Sequence, residues 1–67
     1  MLKMEDIRKM DTKELVEKST NLRDEIAEMR RRIHMGETQN TRSLRIKRRD
    51  LARMLTVLSE QLAKENA

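Results

Sequence analysis

The side chains of this sequence with most capacity for chemistry are its arginines. From Arg30 to Arg53 there are nine basic residues (Arg30, Arg31, Arg32, Arg42, Arg45, Lys47, Arg48, Arg49, Arg53) against two acids, Glu37 and Asp50, a local net charge of +7. The chain as a whole carries +4, so everything outside that stretch sums to −3. Charge gathered this way at one end of a molecule suits a polyanionic partner. Arginine suits phosphate in particular, because its planar fork stays charged and matches the geometry of paired oxygens.

Other reactive groups are sparse. His34 is the only histidine and sits beside the arginine run, without neighbouring residues to complete a metal site or to serve with it as an acid–base pair. Ser19, Ser43 and Ser59 lack any visible base and orienting acid, and a single glycine cannot build a phosphate-cradling loop. With no cysteine, neither disulfides nor thiolate metal sites can be drawn. The sequence therefore points away from an enzyme and toward a binding protein with no catalytic residue, metal, cofactor or small-molecule substrate.

The elements that must position the arginines follow from composition. In 67 residues, 42% are charged, none is aromatic, none is proline and one is glycine, a composition that suits long solvent-laced helices and not a sheet. A chain this short buries only about 60% of its unfolded surface, so its core should be thin. The opening Met1-Leu2-Lys3-Met4-Glu5-Asp6 has no unbroken apolar run, and no stretch approaches the ~20 apolar residues of a membrane span. These features lead to the expectation of a soluble cytoplasmic protein with no membrane partner.

Asp11-Thr12-Lys13-Glu14 has the form of a capping box and should start a helix. After it Leu15, Leu22, Ile26, Met29 and Ile33 form one apolar stripe, and Gly36 offers a C-terminal cap. Leu44, Leu51, Leu55, Leu58 and Leu62 repeat the same spacing beyond a polar connection from Gly36 to Thr41. Folding the second stripe onto the first predicts an all-α structure: two long helices in an antiparallel, coiled-coil-like hairpin, one domain over residues 1–67, with a short N-terminal helical turn. In the register this suggests, Leu15 faces Leu62, Leu22 faces Leu55, Ile26 faces Leu51 and Ile33 faces Leu44. The first residues, with Leu2, Met4, Ile7 and Met10, should pack back on the hairpin, where Met54 and Val57 could receive them. The methionines are best read as core filling.

At about 100° per residue, Arg42, Arg45, Arg49 and Arg53 project from the side opposite the leucine stripe. They form a ridge ~16 Å long, able to meet successive phosphates. The first helix is different: Glu14, Glu17, Asp24, Glu25 and Glu28 alternate with Lys13, Lys18 and Arg23, as an ordinary solvated face does. Without aromatics, bases cannot be stacked, so the ridge should bind folded RNA by backbone and shape.

The stretch Arg48-Arg49-Asp50-Leu51-Ala52-Arg53-Met54-Leu55-Thr56-Val57-Leu58-Ser59-Glu60 closely resembles the second-helix signature of the L-twenty-nine family of large-subunit ribosomal proteins. Met4 to Leu15, an apolar turn followed by an acid-capped helix, is similar to that family's start. The resemblance covers nearly the whole chain; one departure is Lys47, where the family commonly has an apolar residue and Ile46 stands one place earlier. It implies a structural constituent of the large ribosomal subunit, on ribosomal RNA near the polypeptide exit tunnel and beside the L-twenty-three protein. By position it marks Arg48, Arg49 and Arg53 as RNA contacts. Helical geometry adds Arg42 and Arg45, and the near end of the basic stretch adds Arg30 and Arg31. The competing reading is a homodimer of hairpins closing a four-helix bundle, with Val16, Met54 and Val57 supplying the extra interface.

Overall fold

The computed structural model describes residues 3–65, with the side chain of Glu65 excepted. Leu2, expected to help pack the N-terminal turn, lies outside the described residues. Three helices follow in order: α1 (Met4–Arg8), α2 (Thr12–His34) and α3 (Thr41–Glu65). The two long helices lie antiparallel and α1 rests on α3, in a molecule measuring 46 × 18 × 15 Å.

Each boundary has a local cause. Asp11 caps α2, its carboxylate accepting from the Glu14 amide at 2.7 Å, while the Glu14 side chain turns to Lys18 at 3.3 Å. Gly36 ends α2 at φ +78°, a left-handed conformation that glycine adopts without steric cost. Around it the Glu37 amide donates to the Arg32 carbonyl at 2.9 Å and the Gly36 amide to the Ile33 carbonyl at 3.1 Å, the paired bonds of a Schellman ending. At the start of α3 the Asn40 side chain accepts from the Ser43 amide at 3.1 Å, a cap the sequence reading missed although asparagine is among the preferred capping residues.

The α2 stripe is as expected, with Leu15, Ser19 and Ile26 buried and Leu22, Met29 and Ile33 half-buried. The α3 stripe is not. The buried residues of α3 are Asp50, Met54 and Val57, and the row they form continues through half-buried Ser43, Lys47 and Gln61. Four of them stand one residue before Leu51, Leu55, Leu58 and Leu62. The leucine row thus flanks the seam: Leu44, Leu51 and Leu58 are half-buried, while Leu55 and Leu62 are 37% and 42% exposed.

The register differs too. Two cross-links between the helices, Thr12 to Gln61 at 2.9 Å and Lys47 to Glu25 at 3.2 Å, fix it four to five residues away from the leucine-on-leucine pairing. That is a slide of ~6–7 Å at 1.5 Å per residue. It places Leu15 level with Val57, Ser19 with Met54, Leu22 with Asp50, and Ile26 with Lys47. Leu62, Leu55, Leu51 and Leu44 lose the partners that matched spacing assigned them.

The cause is α1. A five-residue helix cannot persist alone, and it is held by Ile7, fully buried in one cluster with Leu15, Met54 and Val57; Met4, Met10, Leu22 and Leu58 pack around them. Met54 and Val57 do receive the N-terminal turn, as expected. To do so α3 must roll them toward the seam, which turns its leucines outward. The same burial corrects the dimer interface drawn from sequence: of Val16, Met54 and Val57, only Val16 is exposed.

The polar residues brought into the seam are satisfied. Gln61 donates to the Met10 carbonyl at 2.8 Å and accepts from the Thr12 hydroxyl, tying α3 to the junction of α1 and α2. Lys47 is half-buried beside the seam and carries its ammonium to Glu25 on α2. Among the described residues no buried side-chain polar atom lacks a hydrogen-bond partner, as a small core requires when each such atom would cost ~1–3 kcal/mol.

Candidate nucleic-acid interface

The seven arginines singled out from sequence fall into three groups. Arg42, Arg45 and Arg49 project from the outer flank of α3 near the turn; all are exposed, and none forms an ion pair among the described residues. Their spacing of three and four residues stacks them on successive turns. They are the part of the expected ridge that stands clear of the protein.

Arg53 continues this row but is half-buried, with its guanidinium 3.9 Å from the carboxylate of buried Asp50. The roll of α3 accounts for this: a row opposite the leucines is not opposite the core, and its far end swings toward the seam. Arg31 is engaged more tightly. Its Nε and one terminal nitrogen donate to the two Glu28 oxygens at 3.2 and 2.7 Å, and the other terminal nitrogen lies 3.1 Å from the Met35 sulfur. This paired hydrogen bond and the adjoining charge hold the Glu28 carboxyl below its usual 4.5 and raise the Arg31 guanidinium further. A phosphate would have to displace Glu28 to use that fork.

Arg30 and Arg48 form the third group, which sequence reasoning did not separate from the ridge. They project on the other flank of the hairpin and, with Arg23, rim a groove between α2 and α3 floored by Ile26, Ala27, Leu51, Ala52 and Leu55. The signal was present in helical angle: Arg48 falls on the leucine side of α3, about 100° from Arg49. Behind the seam at the same level, Asp24, Glu25 and Glu28 gather with Arg32 and Lys47 in a crevice of mixed charge.

His34 is exposed at the last turn of α2, and among the described residues no group of three or more histidines and carboxylates could hold a metal. No described helix is long and apolar enough to cross a membrane.

Fold and site together define a small helical-hairpin protein with its basic side chains gathered near the turn. Comparison with known sequences gives the family. Residues 5–61 match the model of the Ribosomal L29 protein family. The chain is 46% identical over 57 residues to the large ribosomal subunit protein uL29 of Saccharolobus solfataricus, covering 85% of this chain and 78% of that one. It is 39% identical over 64 residues to the protein of that name from Sulfolobus acidocaldarius, covering 96% and 93%, and 33% identical over 66 residues to that of a Geobacillus species, covering 98% and 97%. No solved structure gives a significant match. The chain belongs to the L29 family of large-subunit ribosomal proteins, as the Arg48 to Glu60 block suggested.

Proposed function

We propose that this chain is a non-catalytic structural constituent of the large ribosomal subunit, working as one hairpin domain over residues 1–67 and holding ribosomal RNA through the arginines near its turn. Family membership supports the assembly. The observation that carries the RNA contact is the row itself: Arg42, Arg45 and Arg49 are all exposed and stand on successive turns of one flank of α3, with no acid between them until Asp50, whereas on α2 the acids alternate with the bases. Three guanidinium groups on successive turns can meet phosphates along one strand and need no base stacking. Arg53 at the end of the row and Arg48 on the other flank, both matched to the family's basic signature, are assigned supporting contacts, and Arg30 and Arg31 a place at the near end of the basic stretch. A position near the polypeptide exit tunnel, beside the L-twenty-three protein in the cytoplasmic ribosome, follows from the family resemblance.

The test is cosedimentation. The tagged chain should travel with large subunits through a high-salt wash, and a triple Arg42→Gln, Arg45→Gln, Arg49→Gln variant should be released at lower salt. A parent chain that stays at the top of the gradient would refute the assignment.

A further inference from the structure

The leucine row that the fold turns away from its own core needs a use. Leu51 and Leu55 line the groove on the flank of α3 opposite the one α1 covers, and Leu62 continues the strip. From Leu51 to Leu62 it runs ~17 Å, about three helical turns. The groove holds roughly 360 Å³, with Ile26 and Ala27 on its α2 side. Arg23, Arg30 and Arg48 rim it, none of them in an ion pair among the described residues and with no acid in the lining. An apolar floor of helical length between uncompensated cations is complementary to an apolar helix face flanked by carboxylates.

We infer that this groove docks an amphipathic, acid-flanked helix of another protein. This goes beyond the RNA contact: the ridge arginines Arg42, Arg45 and Arg49 lie on a different flank of α3, and only Arg30 and Arg48, given supporting roles toward RNA above, are shared with the groove rim. RNA is the poorer occupant: its phosphates would pair with the rim, but the leucine floor offers them nothing, and the chain has no aromatic side chain on which a base could stack. A second copy docked symmetrically would bring the three rim arginines of each chain against those of the other. A carboxylate-flanked helix satisfies floor and rim together, by burying leucine surface and pairing the guanidinium groups as it enters.

The experiment titrates the isotope-labelled full chain with two synthetic helices of about eighteen residues. Both carry leucines on one face; one is flanked by glutamates and the other by lysines. The glutamate helix should bind at least ~10-fold more tightly, equivalent to ~1.4 kcal/mol, and move the amide signals of Ala27, Leu51, Ala52 and Leu55. Leu55→Ser, at an exposed position that leaves helicity intact, and the pair Arg23→Gln with Arg48→Gln should each weaken it ~10-fold. Arg45→Gln with Arg49→Gln should leave it within ~twofold. Equal binding of the two helices, signal changes outside the groove, or insensitivity to Leu55→Ser would overturn the inference. So would a doubled mass of the free chain that Leu55→Ser abolishes, which would make the groove a self-interface, or binding of a large-subunit RNA fragment that Leu55→Ser weakens as much as it weakens the helix, which would make the leucine floor part of the RNA contact.

Discussion

The two ends of the hairpin solve different problems with the same two helices. At the base, α1 adds a third element, and Ile7, Leu15 and Val57 are sealed almost completely from water. Toward the turn only two helices remain. There Ile26 is the last buried apolar residue, and Met29, Ile33, Leu44 and Ile46 are half-covered. Arg42, Arg45 and Arg49 all stand at this thin end. The contrast shows a division of labour within 67 residues: the base supplies cooperative burial, and the turn end, too slender to seal a core, carries the charge that a polyanion would neutralise.

The largest expected effect tests burial at the base. Leu15→Ala and Ile7→Ala each remove a fully buried side chain and should cost about 2–5 kcal/mol, enough to unfold a domain of this size. Leu55→Ala removes a flanking side chain that is 37% exposed and should cost about 1–1.5 kcal/mol. Thermal melts by circular dichroism decide it, and a Leu55→Ala loss as large as that of Leu15→Ala would restore the leucine seam.

A smaller effect concerns the polar link that closes the base. Gln61→Ala removes two hydrogen bonds, to the Met10 carbonyl and from the Thr12 hydroxyl. It should cost ~1–3 kcal/mol at about 0.5–1.5 per bond, with amide exchange rising in α1 before the rest of the chain. Uniform loss of protection along α2 and α3 would mean that Gln61 supports the whole hairpin and not its base.

The smallest effect lies toward the turn. Glu28 titrates below its usual value because Arg31 hydrogen-bonds its charged form. A depressed carboxyl contributes stability that is present above its unfolded value and lost as pH falls through the folded one. Both groups are fully exposed, so the contribution to folding should be slight and weaken further in salt. Arg31→Gln should bring the Glu28 titration, followed by carboxyl carbon shifts, back up toward 4.5. No change on substitution would show that the fork is open in solution and available to RNA.

What the sequence made legible was local or strongly periodic. The Asp11 cap, the Gly36 ending, the α2 stripe and the return of the N-terminal turn onto Met54 and Val57 each follow from one residue type or one spacing. The rotation of α3 was not legible. Leu51, Leu55, Leu58 and Leu62 have the same period as the residues one place before them, and the more apolar row was the natural core. What decides between them is tertiary: the room α1 needs over Met54 and Val57, and partners for Lys47 and Gln61 that exist only once the helices have met. The arginine ridge was visible in outline, and its division in part. The pairings of Arg53 with Asp50 and of Arg31 with Glu28 are i,i+3 contacts within one helix, so their spacing was visible in the sequence; that the leucine side of α3 carrying Arg48 becomes a groove and not the core depends on that same rotation.

Arg42, Arg45 and Arg49, exposed near the turn, are the proposed RNA contact, and the salt dependence of binding measures their part directly. Affinity for a large-subunit RNA fragment should be followed across salt concentration for the parent chain, for Arg45→Gln with Arg49→Gln, and for Lys13→Gln with Lys18→Gln on the mixed-charge face of α2. Each lost phosphate contact removes about 0.7 to 0.9 from the slope of log affinity against log salt, so the arginine pair should flatten it by roughly 1.4 to 1.8 and the lysine pair should leave it nearly unchanged. An arginine variant that keeps the parental slope, or a lysine variant that loses as much, would place the RNA contact elsewhere on the hairpin.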